Sequence, residues 1–114
     1  MITPVEKPAK ILNVLGDPNR SNIVMSIGND ARSVTEIITI TGLSQTLASF
    51  HLKALRTASV VKTERDGPFI YYSLVDKALV GILDELSDTA DHLDSVANKA
   101  TLSSSRKTPE RQRR

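Results

Sequence analysis

Two short segments, each opened by a capping signal and separated by only a few residues, constrain this chain more than any other feature. Ser33-Val34-Thr35-Glu36 has the S-x-x-E pattern: the serine hydroxyl accepts from the Glu36 backbone N–H while the Glu36 carboxylate reaches back to the N–H of Ser33. Ile37, Ile38 and Ile40 follow. Their β-branches would suit a strand, but the capping box before them and Gly42 after them predict two helical turns stopped by a tight turn. Ser44 offers a second N-cap, and Ala48, Leu52 and Leu55 recur at helical spacing, so another helix runs to about Arg56. Thr41-Gly42-Leu43 joins the two into a helix-turn-helix unit.

Upstream, Val5, Ile11, Leu12, Val14 and Leu15 form a weak helical pattern that ends at Gly16. Asp17-Pro18 then combines an N-cap with proline at the first helical position, where its missing N–H costs nothing. Ile23, Val24 and Ile27 give this second helix its apolar stripe, and Gly28-Asn29 supplies a left-handed stop. After Ser59 the period changes: Val60 to Arg65 and Phe69 to Leu74 are rich in β-branched and aromatic residues, with Asp66-Gly67 as the hairpin signal and Pro68 confining the turn to an exposed edge. From Asp76 on, Leu79, Ile82, Leu83, Leu86, Ala90 and Leu93, then Val96 or Ala97, recur every three or four residues, one long amphipathic helix. The expected fold is mainly α (α+β): a winged helix-turn-helix with a two-stranded hairpin wing and a long C-terminal dimerisation helix. Residues 1–100 form one domain, and residues 101–114, serine- then arginine-rich, a basic disordered tail.

With 114 residues the chain encloses one modest core. It has no cysteine, which removes disulfides, thiolate ligands and cysteine nucleophiles together. No apolar run resembles a signal peptide or a membrane span, so the expected location is cytoplasmic and no membrane partner is expected. Charge is zoned. Between Pro18 and Arg65, Arg20, Arg32, Lys53, Arg56, Lys62 and Arg65 outweigh Asp30, Glu36 and Glu64. From Asp76 to Asn98 only Lys77 opposes Asp76, Asp84, Glu85, Asp88, Asp91 and Asp94. The tail is again basic, which implies either salt-dependent, sequence-independent DNA affinity or a solubilising end.

Residues Ile11 to Leu86 resemble the ArsR/SmtB family of dimeric bacterial and archaeal transcriptional regulators. The resemblance rests on Leu15-Gly16-Asp17-Pro18-Asn19-Arg20, on Gly42-Leu43-Ser44-Gln45 continuing to His51-Leu52-Lys53-Ala54-Leu55-Arg56, and on Asp66-Gly67 followed by Tyr71-Tyr72-Ser73-Leu74. It implies a sequence-specific DNA-binding regulator, a repressor occupying an inverted-repeat operator as a dimer. The sequence departs from the family pattern in two places. Ala58-Ser59-Val60 replaces the usual Ala-Gly-Leu step, placing a non-glycine where a left-handed residue is needed. Leu47 and Phe50 stand where polar residues are common in the recognition helix.

If Ala48, Leu52 and Leu55 face the core, Gln45, Thr46, Ser49 and Lys53 project from the other side into a major groove. Gln45 suits adenine, Thr46 and Ser49 suit base edges or phosphates, and Lys53 suits guanine or a phosphate. Ser44 combines N-cap and phosphate contact, and Arg56 adds a further cation to the set. Without the resemblance, the same face reads as an ordinary polar helix surface. Phe50 either packs against a neighbour or touches a thymine methyl; His51 either bonds a phosphate or serves local packing. Lys62 and Arg65 lie near the hairpin tip, as backbone contacts or as edge-strand charges guarding against aggregation.

The apolar stripe of the long helix, with Leu79, Ile82, Leu83, Leu86 and Leu93, predicts a homodimer. Many family members respond to metal. Their thiolate site is absent here, since Ser33-Val34-Thr35 occupies its place. Of the family's other site, Asp76 and His92 match, while Ala78 and Thr89 replace the remaining ligands. With water, Asp76, Asp88 and His92 could hold nickel or zinc weakly; alternatively, His92 is a surface or interface residue beside carboxylates. No cofactor is required. The competing function is a protein-interaction module whose acidic helix binds a co-regulator protein. An enzyme fits least: there is no phosphate-cradling glycine loop, and His51 and His92 are the only imidazoles.

Overall fold

Four of the five described helices begin where a side chain takes up free backbone donors of the first turn; the first helix, after Val5, has no such cap. The computed structural model describes residues 4–107; residues 108–114, part of the expected tail, lie outside the described residues. In chain order the elements are α1 (Glu6–Leu15), α2 (Pro18–Ile27), β1 (Arg32–Ser33), α3 (Val34–Thr41), α4 (Gln45–Thr57), β2 (Val61–Asp66), β3 (Phe69–Leu74) and α5 (Ala78–Lys107). Asp17 accepts from the N–H groups of Asn19 and Arg20 at 2.8 and 3.3 Å, with Pro18 opening α2. Both halves of the Ser33–Glu36 capping box are formed, at 2.9 and 3.2 Å. Ser44 accepts from Leu47 at 3.1 Å, and Asp76 from Ala78 at 2.9 Å.

The turn between α3 and α4 depends on Gly42, whose φ of 76° and ψ of 6° lie in the left-handed region. A β-carbon there would meet nothing within 4 Å, so glycine is required by backbone conformation and not by space. The end of α4 solves the same problem without glycine. Val60 N–H donates to Leu55 O and Ser59 N–H to Arg56 O, at 2.9 and 3.0 Å, the paired bonds of a Schellman cap. Ser59 carries the left-handed conformation at φ 62°, the position that the missing Ala-Gly-Leu glycine marks. A residue with a β-carbon there costs about 1 kcal/mol.

The hairpin has β2 and β3 antiparallel, with Asp66 paired to Phe69 across Gly67-Pro68 and Val61 paired to Leu74. The sheet, however, has three strands and not two. β1 pairs antiparallel with β3 through Arg32↔Tyr72 and Ser33↔Tyr71, giving the order β1-β3-β2. Two residues carry too little pattern to read as a strand. Ser33 therefore serves both as the last residue of β1 and as the N-cap of α3, which ties the start of the helix-turn-helix unit to the central strand.

The chain divides into two units, one ending at Gly81 and one beginning at Ile82. The first contains the core: Leu15, Ile23, Val24, Ile27, Ile37, Ala48, Leu52, Leu55, Val60, Val61 and Leu74 are all buried. Every helix from α1 to α4, and both long strands, contribute to it. The second unit is the body of α5, which has 30 residues in all and is about 45 Å long. It runs to Lys107, into the stretch the sequence assigns to a disordered tail, because no proline or glycine interrupts the chain between Ile82 and Lys107.

Candidate nucleic-acid interface

The buried side of α4 is wider than its aliphatic spacing indicates. Ala48, Leu52 and Leu55 are buried, as expected, and His51 joins them with 5% of its surface exposed. Its Nδ1 has no hydrogen-bond partner. The imidazole is turned inward, so His51 is withdrawn from the phosphate-contacting candidates. Local packing takes it instead, its ring meeting that of Phe50 edge to face, with centroids 5.2 Å apart and an interplanar angle of 76°.

Including His51 moves the centre of the exposed face. At about 100° per residue, the direction opposite Ala48, His51, Leu52 and Leu55 falls among Thr46, Phe50, Lys53 and Thr57, all exposed. Ser49 is exposed beside them, whereas Gln45 and Arg56, also exposed, stand at the flank near the edge of the buried stripe. Phe50 touches His51 along one edge yet remains 65% exposed, so most of its ring faces outward, and Leu47 is exposed one turn before it. Ser44 is exposed at the helix start.

Cations that looked equivalent in the sequence have different employment. Arg20 Nε donates to Val14 O, and Arg32 Nε to Ser26 O, both at 2.6 Å. Each guanidinium thus satisfies a carbonyl in the last turn of a helix, α1 or α2, and Arg32 also pairs with Asp30 at 3.3 Å. These two are structural, which leaves Lys53, Arg56, Lys62 and Arg65 as the exposed cations of this region. Along β2, Val61 is buried and Thr63 half-buried while Lys62 and Glu64 are exposed, so alternation puts Lys62 and Arg65 on opposite faces of the wing. Lys62 shares its face with Glu64 and Asp66.

Asp17, at the start of α2, stays ionised to lower pH than an ordinary aspartate. Desolvation opposes this, but the backbone N–H groups of Arg20 and Asn19, with the nearby His51 ring and the Arg20 guanidinium, outweigh it.

On α5, Leu79 and Leu83 are half-buried. Ile82, Leu86, Leu93 and Val96 are 52, 45, 62 and 50% exposed, an apolar stripe along a helix face. Asp88 and His92 stand one turn apart on the same helix, both exposed, and the Asp76 carboxylate accepts from Ala78. Among the described residues no group of three or more His, Asp or Glu side chains gathers into a metal site. No described helix is long and apolar enough to cross a membrane.

The geometry agrees with comparisons to known proteins. Residues 17–63, from the cap of α2 into β2, match the model of the bacterial regulatory protein, arsR family. The nodulation protein NolR of Rhizobium meliloti is 37% identical over 95 residues, covering 82% of this chain and 78% of that one. The transcriptional repressor BigR from Xylella fastidiosa superposes with a TM-score of 0.69 at 26% identity, over 75% of this chain and 87% of that one. The homodimeric winged helix-turn-helix DNA-binding domain of Mb0332 from Mycobacterium bovis superposes with a TM-score of 0.62 at 26% identity, over 83% and 95%. A buried α2–α4 core, a wing built on β3 and a solvent-facing α4 are thus the parts of a winged helix-turn-helix transcriptional regulator, and this chain belongs to the ArsR family.

Proposed function

We propose that the protein is a homodimeric repressor that occupies an inverted-repeat operator, inserting α4 of each protomer into the major groove. The observation that carries this is the exposed face of α4, where Thr46 and Lys53 stand opposite a buried stripe with Ser49 beside them. Thr46, Ser49 and Lys53 read base edges or phosphates, with Gln45 and Arg56 contributing from the flank and Ser44 from the helix start. Arg65 and Lys62, on opposite faces of the wing, make backbone contacts that position and do not specify. The stripe of Leu79, Ile82, Leu83, Leu86 and Leu93 packs against that of a second copy, as the homodimeric state of Mb0332 supports. The recognition helices then lie about one DNA turn apart, roughly 34–36 Å.

This reading requires no metal, and Asp76, Asp88 and His92 are the residues that would hold nickel or zinc if one is bound. Asp88 and His92 supply two ligands on one helix face, fewer than a stable nickel or zinc site needs. A reading as a protein-interaction module is not favoured, since the neighbour BigR is a transcriptional repressor.

The test is to titrate chelator-treated protein onto genomic fragments, including the region upstream of its own reading frame, at fixed salt with and without nickel or zinc. The expected result is protection of an inverted repeat that does not change with metal. Lys53→Ala should lower affinity and reduce the salt slope by about one. A metal-dependent footprint would restore the Asp76, Asp88 and His92 site. A folded dimer that protects nothing would turn the assignment toward the interaction module.

A further inference from the structure

We propose that Phe50 is a specificity-determining residue of the recognition helix and reads the C5-methyl group of a thymine in the operator. The proposal rests on the reading in which α4 enters the major groove, and deepens it by naming the base. Phe50 is 65% exposed and lies close to the direction opposite the buried stripe, nearer to it than Gln45. Thr46 stands one turn before it and Lys53 one turn after it, both exposed. An aromatic so placed reaches the floor of a groove entered by those two residues. The thymine methyl is the one apolar group that B-DNA presents on that floor.

The ring is also held. Its edge-to-face contact with His51, at 5.2 Å and 76°, sets it against a residue that is itself buried. A phenylalanine has only two side-chain torsions to order on contact, so most of the methyl's burial is retained as affinity. Leu47, exposed one turn earlier, extends the apolar part of the face. A cationic border at Lys53 and Arg56 suits a polyanion better than an apolar protein partner.

The experiment begins by selecting duplexes from a random-sequence library with the full-length protein. Each thymine of the selected half-site is then replaced singly by deoxyuridine, which removes only the methyl. Wild type should lose about fourfold in affinity at one thymine per half-site, the worth of one buried methyl. Phe50→Ala should bind more weakly and be indifferent to uracil at that position while keeping its response elsewhere. Phe50→Leu should keep part of the discrimination. Because the side chain is exposed, these variants should fold like wild type by circular dichroism.

A selected half-site without thymine, a wild type indifferent to every uracil, or an unchanged uracil response in Phe50→Ala would each overturn the proposal while leaving α4 in the groove. If no sequence is enriched by a folded wild-type protein, the groove reading itself fails.

Discussion

The helices α4 and α5 are both amphipathic, yet they treat their apolar faces in opposite ways. In α4 the apolar stripe is closed off inside its own protomer: Leu52 and Leu55 are 1 and 0% exposed. In α5 the stripe itself faces out, with Ile82, Leu86, Leu93 and Val96 all at 45% exposure or more. The first helix buries its aliphatic stripe in folding, so the opposite face is the one the proposed groove contact uses. The second leaves its hydrophobic face exposed, the face that the proposed dimer buries. Amphipathicity alone therefore does not distinguish a recognition helix from a dimerisation helix; what already covers the apolar side does.

The sharpest way to break this comparison is to remove a large side chain from each stripe. Leu52→Ala should cost about 2–5 kcal/mol of stability, read from the midpoint of urea unfolding, because the cavity it leaves is enclosed. If the loss were small, the α4 stripe would not be part of a tight core. On α5 the paired change Leu86→Glu with Leu93→Glu should leave the helical circular dichroism of the first unit intact. It should raise the dimer dissociation constant at least about tenfold in sedimentation, since each charge would be desolvated in the interface. Unchanged association would mean that this stripe does not form the interface.

A smaller effect sharpens the boundary of α4. Ser59→Gly should raise stability by about 0.5–1 kcal/mol, because the left-handed backbone at φ 62° no longer carries a β-carbon. Loss of stability would show that the Ser59 side chain contributes more than its backbone conformation costs. The smallest effect concerns Asp17. Its lowered pKa means that its contribution to folding is complete above the ordinary carboxylate range and is lost as pH falls through the folded value below that range. Asp17→Asn should therefore flatten the decline of Tm on acidification. A decline as steep as in wild type would assign the acid sensitivity to other carboxylates.

Much of the fold was legible because it is written in local signals. Asp17-Pro18, the Ser33–Glu36 box, Gly42 and Ser44 each act within four residues of themselves, and each is found in the structure in the role its spacing implies. Even the strain at Ser59 could be anticipated from a missing glycine. The third strand could not, because a two-residue strand exists only through its pairing with Tyr71 and Tyr72, far along the chain. Nor could the extent of α5 as far as Lys107: a polar sequence with no helix breaker can continue a helix that its composition does not demand.

The exposed face of α4 was legible in outline only. Spacing identified the buried stripe of α4, and from it Thr46, Ser49 and Lys53. It did not show that His51 belongs to the buried side, because a histidine's hydropathy leaves either side open. Nor did it separate Arg20 and Arg32, which serve carbonyls at the ends of α1 and α2, from the free cations Lys53 and Arg56. By itself, then, the sequence determined where the helices start and stop, where the hairpin turns, and that this is a regulator of the ArsR pattern. Only the tertiary structure decided which polar and aromatic side chains remain available to a partner. Caps and turns are short-range contacts encoded by neighbouring residues, whereas exposure depends on everything the chain brings in from elsewhere.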